Sequence, residues 1–386
     1  MYWIGFEGPQ CPPGSSVVKK VESSSRRRVT AGSRGRLPEQ GRPVCRRYTS
    51  AVVYIRVFPK IARRKEDMIC FLFGHPLAAL LLLVLLAVGL FLVWFKYADA
   101  DLPLVFLSKF GRSPGVLKGS VVWITGASSG IGESLSYELA RAGARLALSG
   151  TDTERLRAVK DKCIAMAKDT EVILVPFDLS DFSCHERQLK AVVNHYGRVD
   201  ILVNNAGRRA IEQFEDFTYE DDRAVFDVNV FAPVSLTRLT LKHSMQQQRR
   251  LHVVVNSSVT AMQGGRSCSV YAATKSALQG YFSSLRLQGR MTGAVDVTVV
   301  FPGPVLTPLL GDAEKLKKRI YYRMMSSERC AQLIAVAIAN KVGEAWICDN
   351  PLLMTFYFCQ YLPNIFQRFI ACMLPWNRTV RSTKNQ

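Results

Sequence analysis

Residues 120–143 read SVVWITGASSGIGESLSYELARAG. A β-branched apolar run, a glycine-spaced turn and a helical stretch follow one another without a break. The glycines stand at 126, 130 and 132. Glycine there permits a tight turn and lets backbone approach a phosphate at a helix N-terminus, where free amides and the helix dipole favour an anion. The spacing is G-x-x-x-G-x-G, not the commoner G-x-G-x-x-G. No Lys-Ser/Thr pair follows, which excludes a nucleotide-hydrolysing phosphate loop. Taken alone the stretch has a second reading, as a turn and nothing more, so the surrounding text decides.

Outward from it the text alternates. SVVWIT, RLALS, EVILVP, DILVN, LHVVVN, VDVTVV and EAWIC read as strands, mostly unbroken apolar runs. Helical segments such as TERLRAVKDKCIAMA and CAQLIAVAIANK lie between them. Apolar strands alternating with helices predict a parallel sheet covered on both faces. The expected fold is α/β: one Rossmann-type doubly wound parallel sheet of about seven strands over residues 120–349, behind an N-terminal transmembrane helix.

The flanks differ from this domain. The chain has 386 residues and a formal charge of +20. Residues 1–67 carry 15 basic and 5 acidic residues, half of the whole excess. Text such as SSSRRRVTAGSRGRLPEQ buries little apolar surface and is read as a disordered basic extension. Binding to RNA or acidic lipid and an organelle transit sequence are alternative readings of that charge. Aromatic interleaving of the kind nucleic-acid grooves use is missing, so no nucleic-acid partner is expected. Met68 follows as an alternative start.

Residues 76–95, PLAALLLLVLLAVGLFLVWF, carry no charge, and the run extends upstream to Ile69. That length spans a bilayer. The span is set at 69–95, with Trp94 and Tyr97 as interfacial anchors. A cleaved signal is the alternative, against which stands the poor cleavage context VWFKYADADLP. Residues 96–119 are read as a linker. Residues 350–386 are aromatic-rich and interrupted by Pro363. They are read as a membrane-proximal segment, with packing on the core as the alternative. Ten cysteines include no CxxC pair, so neither a metal site nor a disulfide framework is expected.

Several polar motifs fall at carboxyl ends of strands, the edge where open α/β sheets bind ligands. NNAG ends the fourth strand at Asn204–Gly207, NSSV the fifth at Asn256–Val259, and PGP the sixth at Pro302–Pro304. Tyr271 and Lys275 open the helix after the fifth strand, and at i, i+4 they share one helical face. TGASSGIG, NNAG, the serine thirteen residues before YAATK, and PG together resemble the short-chain dehydrogenase/reductase (SDR) family, over roughly residues 120–349.

The resemblance implies an oxidoreductase that moves a hydride between a nicotinamide dinucleotide and a carbonyl or alcohol. Tyr271 would be the general acid/base, Lys275 its partner and a holder of the ribose. Ser258 would hold the substrate oxygen, chosen over Ser257 on its spacing to Tyr271. Asn229, in FDVNVF, would complete a proton relay. Cofactor contacts would come from Thr125, Gly126, Ser128, Ser129, Gly130, Ile131, Gly132, Thr151, Asp178, Asn205, Ala206, Gly207, Tyr271, Lys275, Pro302, Gly303 and Val305. Lipophilic, steroid- or retinoid-like substrates follow from the same resemblance, over which residues 305–325 would close. An inactive dinucleotide-binding scaffold is the alternative, and self-association into a homo-oligomer stays open.

A tyrosine titrates near pH ~10. An ammonium about 5 Å away, at an effective dielectric of ~20, favours phenolate by roughly 3 kcal/mol. The lysine is therefore expected to bring the phenol down by about two units, toward neutral pH. Cofactor choice is read after the second strand, in RLALSGTDTER. Gly150 and Thr151 hold the deciding positions, with neither an acid nor an arginine. Asp152 either turns inward, favouring NAD, or caps the next helix. Nearby Arg145 and Arg155, with the room left by small residues, favour NADP(H). An endoplasmic-reticulum membrane location is expected, with one span. With a start at Met68, the cations Lys96, Lys109, Arg112 and Lys118 after the span favour a cytosolic domain. With a start at Met1, Arg63, Arg64 and Lys65 favour a lumenal one, and Asn377 becomes a glycosylation acceptor.

Overall fold

The computed structural model describes residues 76–167, 169–265, 267–311 and 323–373. The basic extension, Met68 with the first residues of the expected span, and Asn377 lie outside them. The seven expected strands are β1 (Val121–Thr125), β2 (Arg145–Ser149), β3 (Val172–Leu174), β4 (Ile201–Asn204), β5 (Leu251–Asn256), β6 (Val295–Pro302) and β9 (Glu344–Ile347). Before the last of these comes a short parallel pair that the sequence did not suggest, β7 (Val305–Leu306) with β8 (Met325–Ser326). The main sheet is parallel throughout, in the order β3-β2-β1-β4-β5-β6-β9. The order reverses between β1 and β4, which opens a crevice at their carboxyl ends.

Both faces of the sheet are covered, which is why its strands read as unbroken apolar runs. Val122 and Ile124 of β1 face a layer with α3 (Gly130–Arg141), α4 (Thr153–Met166) and α9 (Ser327–Ala339). Val121 and Trp123 face the opposite layer with α5 (His185–Tyr196), α7 (Ala232–Gln246) and α8 (Ser269–Thr292). Trp123 is fully buried and its indole N–H donates to Ser149 Oγ at 2.8 Å, so its one polar atom is satisfied. A short helix, α6 (Tyr219–Phe226), precedes α7.

The apolar helix α1 is Pro76–Tyr97, two residues past the expected end of the span. It is long and apolar enough to cross a membrane, and its most apolar stretch is unburied. The run Tyr219–Gln246 passes the same test of length but is half buried in the protein core.

Residues 96–119 are not a free linker. They carry α2 (Leu102–Phe110), docked on the domain. Asp101 caps it: Oδ1 accepts from the Leu104 amide at 3.1 Å, and Oδ2 from the Trp346 amide of β9 at 3.3 Å. Asp99 makes a two-pronged ion pair with Arg329 of α9, at 2.6 and 3.2 Å. The Asn340 amide group bonds both backbone groups of Arg112. In α10 (Leu352–Tyr361), Leu353 and Cys359 are buried in the domain, whereas α11 (Pro363–Met373) presents an exposed Ile365.

Candidate active site

The glycine turn and the NNAG motif are built into each other. Gly126 has φ +65°, in the left-handed region. A Cβ on Gly132 would lie 2.2 Å from Gly126 O and 2.4 Å from Asn205 Nδ2, so no side chain fits there. Asn205 donates from Nδ2 to Thr125 O and Gly126 O, both at 3.1 Å, and its Oδ1 accepts from Asn256 at 2.9 Å. Asn205 therefore holds the turn in shape. Thr125, 1 % exposed, does the same from β1 by accepting the Asn205 and Ala206 amides.

Along this turn runs a groove of about 590 Å³. Of the expected cofactor residues, Gly126, Ser128, Ser129, Gly130, Ile131, Thr151, Asp178, Asn205, Ala206 and Gly207 line it. Thr125 and Gly132 stand behind its wall. The N-terminus of α3 begins at Gly130, on the groove. Next to it lies a cavity of about 240 Å³. Ser258, Tyr271, Lys275, Pro302, Gly303 and Val305 line this one, with apolar walls from Leu309, Leu310, Leu352 and Phe356.

Tyr271 and Lys275 sit on the first turns of α8, and Lys275 Nζ lies 5.5 Å from the Tyr271 ring centre. Lys275 is 3 % exposed, and its ammonium donates to Asn256 O at 2.8 Å. Burial pulls Lys275 down to about 8. Burial also raises Tyr271, against which the Ser258 hydroxyl and the charge of Arg209 pull it back. This corrects the expectation that the lysine drives the phenol toward neutrality: in this buried site, desolvation disfavours phenolate and ammonium alike.

Ser257 and Ser258 divide as their positions require. Ser257 Oγ donates to the Lys275 carbonyl at 3.0 Å and is fixed to the helix. Ser258 faces Tyr271, its Oγ accepting from the Thr260 amide at 3.2 Å. Asn229 lies in a π-turn, Asp227–Phe231, and is fully buried. Its Nδ2 donates to Arg208 O at 2.9 Å and to Thr274 Oγ1 at 3.0 Å, and its Oδ1 accepts the Arg208 amide at 2.7 Å. A Cβ on Gly207 would lie 3.6 Å from both Asn229 Oδ1 and Lys275 Nζ, so Gly207 stands between the two.

Arg145 begins β2, at the far end of the strand from the groove, and pairs with Glu171 at 3.2 Å. It is removed from any part in cofactor choice. Asp152 caps α4, accepting the Arg155 amide at 3.0 Å and pairing with the Arg155 guanidinium at 3.1 Å. Thr307 and Leu309, from the segment expected over the substrate, line the two spaces, and sequence reasoning missed Arg208, Arg209, Leu352 and Phe356, which also line them. For Arg209 a signal was present, since it lies two residues beyond NNAG. For Leu352 and Phe356 nothing local marks the role.

The family model for short chain dehydrogenase matches residues 120–318. The chain belongs to the short-chain dehydrogenases. As a member it is a dehydrogenase/reductase that depends on a nicotinamide dinucleotide, NAD(P). It is 35% identical over 305 residues to the mouse protein Dehydrogenase/reductase SDR family member 7, covering 76% of this chain and 89% of that one. It is 33% identical over 233 residues to 11-beta-hydroxysteroid dehydrogenase-like 2 of Arabidopsis thaliana, covering 60% of this chain and 73% of the plant protein. Among solved structures, a short chain dehydrogenase from Burkholderia cenocepacia in complex with NADP superposes with a TM-score of 0.53 and 26% identity, over 59% of this chain and 95% of that one.

Proposed function

We propose that this protein is a membrane-anchored oxidoreductase acting between NADP(H) and a lipophilic carbonyl or alcohol of steroid- or retinoid-like character. The observation that carries this is the convergence of the Tyr271 phenol, the Ser258 hydroxyl and the buried Lys275 on an apolar-walled cavity beside a glycine-bounded groove. The names of the plant and mouse relatives agree with the substrate class and the reaction type.

The residues fit a dinucleotide. Lys275 has three donors and, among the described residues, makes one hydrogen bond, to Asn256 O, which leaves two for ribose hydroxyls. Among the described residues Asn256 Oδ1 is buried without a donor, on the border of both spaces. When bound, the dinucleotide supplies or accepts the hydride at the carbonyl carbon. Ser258 Oγ and the Tyr271 hydroxyl hold the substrate oxygen from two sides. Tyr271 then gives that oxygen a proton in reduction, or takes one in oxidation. A phenol raised by burial stays protonated at neutral pH, which favours carbonyl reduction. Both N–H groups of Asn229 are engaged. Its share in a proton relay rests on the second lone pair of Oδ1 and on its own carbonyl.

Preference for NADP(H) is supported by Asp152. Its carboxylate is occupied as a helix cap, and exposed Thr151 leaves room for a phosphate. Single-pass anchoring through α1, with a cytosolic domain in the endoplasmic reticulum, is supported by Lys96, Lys109, Arg112 and Lys118 after the helix. The test uses the full chain in detergent micelles, with a panel of steroid and retinoid ketones and aldehydes and with NADPH or NADH. Turnover that is abolished by Tyr271→Phe, and faster with NADPH, supports the reading. Dinucleotide binding with no turnover on any member returns the protein to a scaffold, and glycan on Asn377 in cells overturns the cytosolic domain.

A further inference from the structure

β4 hands the chain to two arginines in succession, and they go different ways. Arg208 lines the dinucleotide groove, while Arg209 lines the neighbouring cavity with Tyr271. Asn229 fixes this split by bonding both backbone groups of Arg208. Held at both groups, the backbone at residue 208 has one orientation, and the next side chain falls on the cavity side.

Arg209 is half-buried, and among the described residues it has no ion pair and no hydrogen bond. Other arginines of similar burial do have carboxylates: Arg198 pairs with Asp200 at 2.8 Å, and Arg286 with Glu344. A guanidinium stays charged at every working pH. A charge withdrawn from water without a partner is costly. The apolar lining of the same cavity, Leu309, Leu352 and Phe356, offers nothing that could pair with it.

We propose that Arg209 binds a carboxylate on the substrate, so that the substrate is an amphiphilic oxo or hydroxy acid. Its apolar body lies against Leu309, Leu352 and Phe356, and its anion on the guanidinium fork, whose planar donors match a carboxylate two by two. This rests on the reading above that the cavity takes a carbonyl or alcohol, and it narrows the substrate within that reading. The charge of Arg209 also reaches the Tyr271 phenol and lowers it. A bound carboxylate would offset that effect and keep the phenol a proton donor during reduction.

The test compares oxododecanoic acids, with the ketone near, midway along or far from the carboxylate, with their methyl esters. The full chain and Arg209→Met are assayed with NADPH. The quantity read is the ratio of kcat/KM for each acid to that of its own ester. This ratio cancels any general damage from the substitution. In the wild type at least one acid is preferred on the order of 10- to 100-fold, as expected for a charge-assisted contact. In Arg209→Met the ratio falls to about one, with Arg209→Lys between them. Wild-type ratios at or below one, or a ratio unchanged in Arg209→Met, overturn the assignment and leave the oxidoreductase standing. A loss of NADPH affinity in Arg209→Met that matches the loss for the acid also overturns it, because the arginine then serves the dinucleotide. No turnover of any acid, ester, steroid or retinoid carbonyl overturns both readings together.

Discussion

The two ends of the sheet both carry a basic hollow, and they treat their charges differently. At the amino ends of the strands lies a hollow of about 610 Å³, lined by Arg198, Arg249, Arg250 and Lys341 among others. There Asp200 takes both Arg198 and Arg249, at 2.8 and 3.1 Å, and Asp296 takes Arg250 and Lys341, at 2.5 and 2.8 Å. At the carboxyl ends, among the described residues, Lys275 and Arg209 have no carboxylate partner, and Asn256 Oδ1 lacks a donor. Size does not separate the two hollows, since the dinucleotide groove is about 590 Å³. Unmet pairing does. At one end the domain's own carboxylates pair these four cations; at the other, among the described residues, polar groups inside the fold are left unpaired.

The comparison breaks first at Tyr271. Tyr271→Phe should lower turnover roughly a thousandfold, the size of a lost general acid, and leave NADPH affinity within about threefold, since the phenol carries the proton and not the cofactor. Activity that survives would mean the carboxyl edge is as structural as the amino edge.

Acid should attack the amino edge through stability. His252, 6 % exposed on that hollow, shares a hydrogen bond with Thr298 Oγ1, and burial depresses it to about 4 from 6.5. The unfolded chain therefore takes the proton first as the pH falls. Stability present above 6.5 is lost progressively down to 4, by about 3 kcal/mol at ~1.4 kcal/mol per unit. Thermal melts across that range should show the slope, and His252→Gln should flatten it. His185, also buried and depressed, retains part of the slope. An unchanged slope in His252→Gln would place the acid sensitivity elsewhere.

Asp200→Asn unpairs two arginines at once. The carboxylate also accepts the Val121 amide at 2.9 Å. A loss of about 2 kcal/mol is expected, or roughly 5 °C in Tm. Activity per folded molecule should hold within about twofold, because this end makes no contact with the proposed reaction. A larger loss of activity than of Tm would tie the two ends together. The smallest effect is at the groove. Thr151→Arg should tighten NADPH by about tenfold, one charge-assisted contact, and alter NADH little. Equal gains for both dinucleotides would show that residue 151 does not meet the phosphate.

Much of this was legible in the sequence because it is local. Each strand is an apolar run of its own length, and the glycine turn, NNAG and the Tyr271–Lys275 spacing are short-range patterns. What was not legible depends on distant parts of the chain. Arg145 is close to Thr151 in sequence, but six residues of extended chain put them at opposite ends of β2. Lysine beside tyrosine shows a nearby charge but not the burial, which raises the phenol. Residues 96–119 could have been read better: Asp101 followed by Pro103 is a helix-start signal, passed over because a linker is expected after a span. The cavity role of Leu352 and Phe356 depends on α10 folding back across the sheet edge, which no nearby residue announces.

Trp94, in the last turn of α1, packs against the same buried layer as Leu352, Phe356 and Tyr357 of α10, with its indole nitrogen sealed from water. Leu352 and Phe356 also line the cavity that holds Tyr271. The apolar helix and the cavity wall thus draw on one buried layer, and the boundary between helix α1 and the folded domain runs through that layer rather than beside it. A fragment cut at Lys96 would strip Trp94 from that layer, so the place where hydropathy ends is not the place where the folded domain begins.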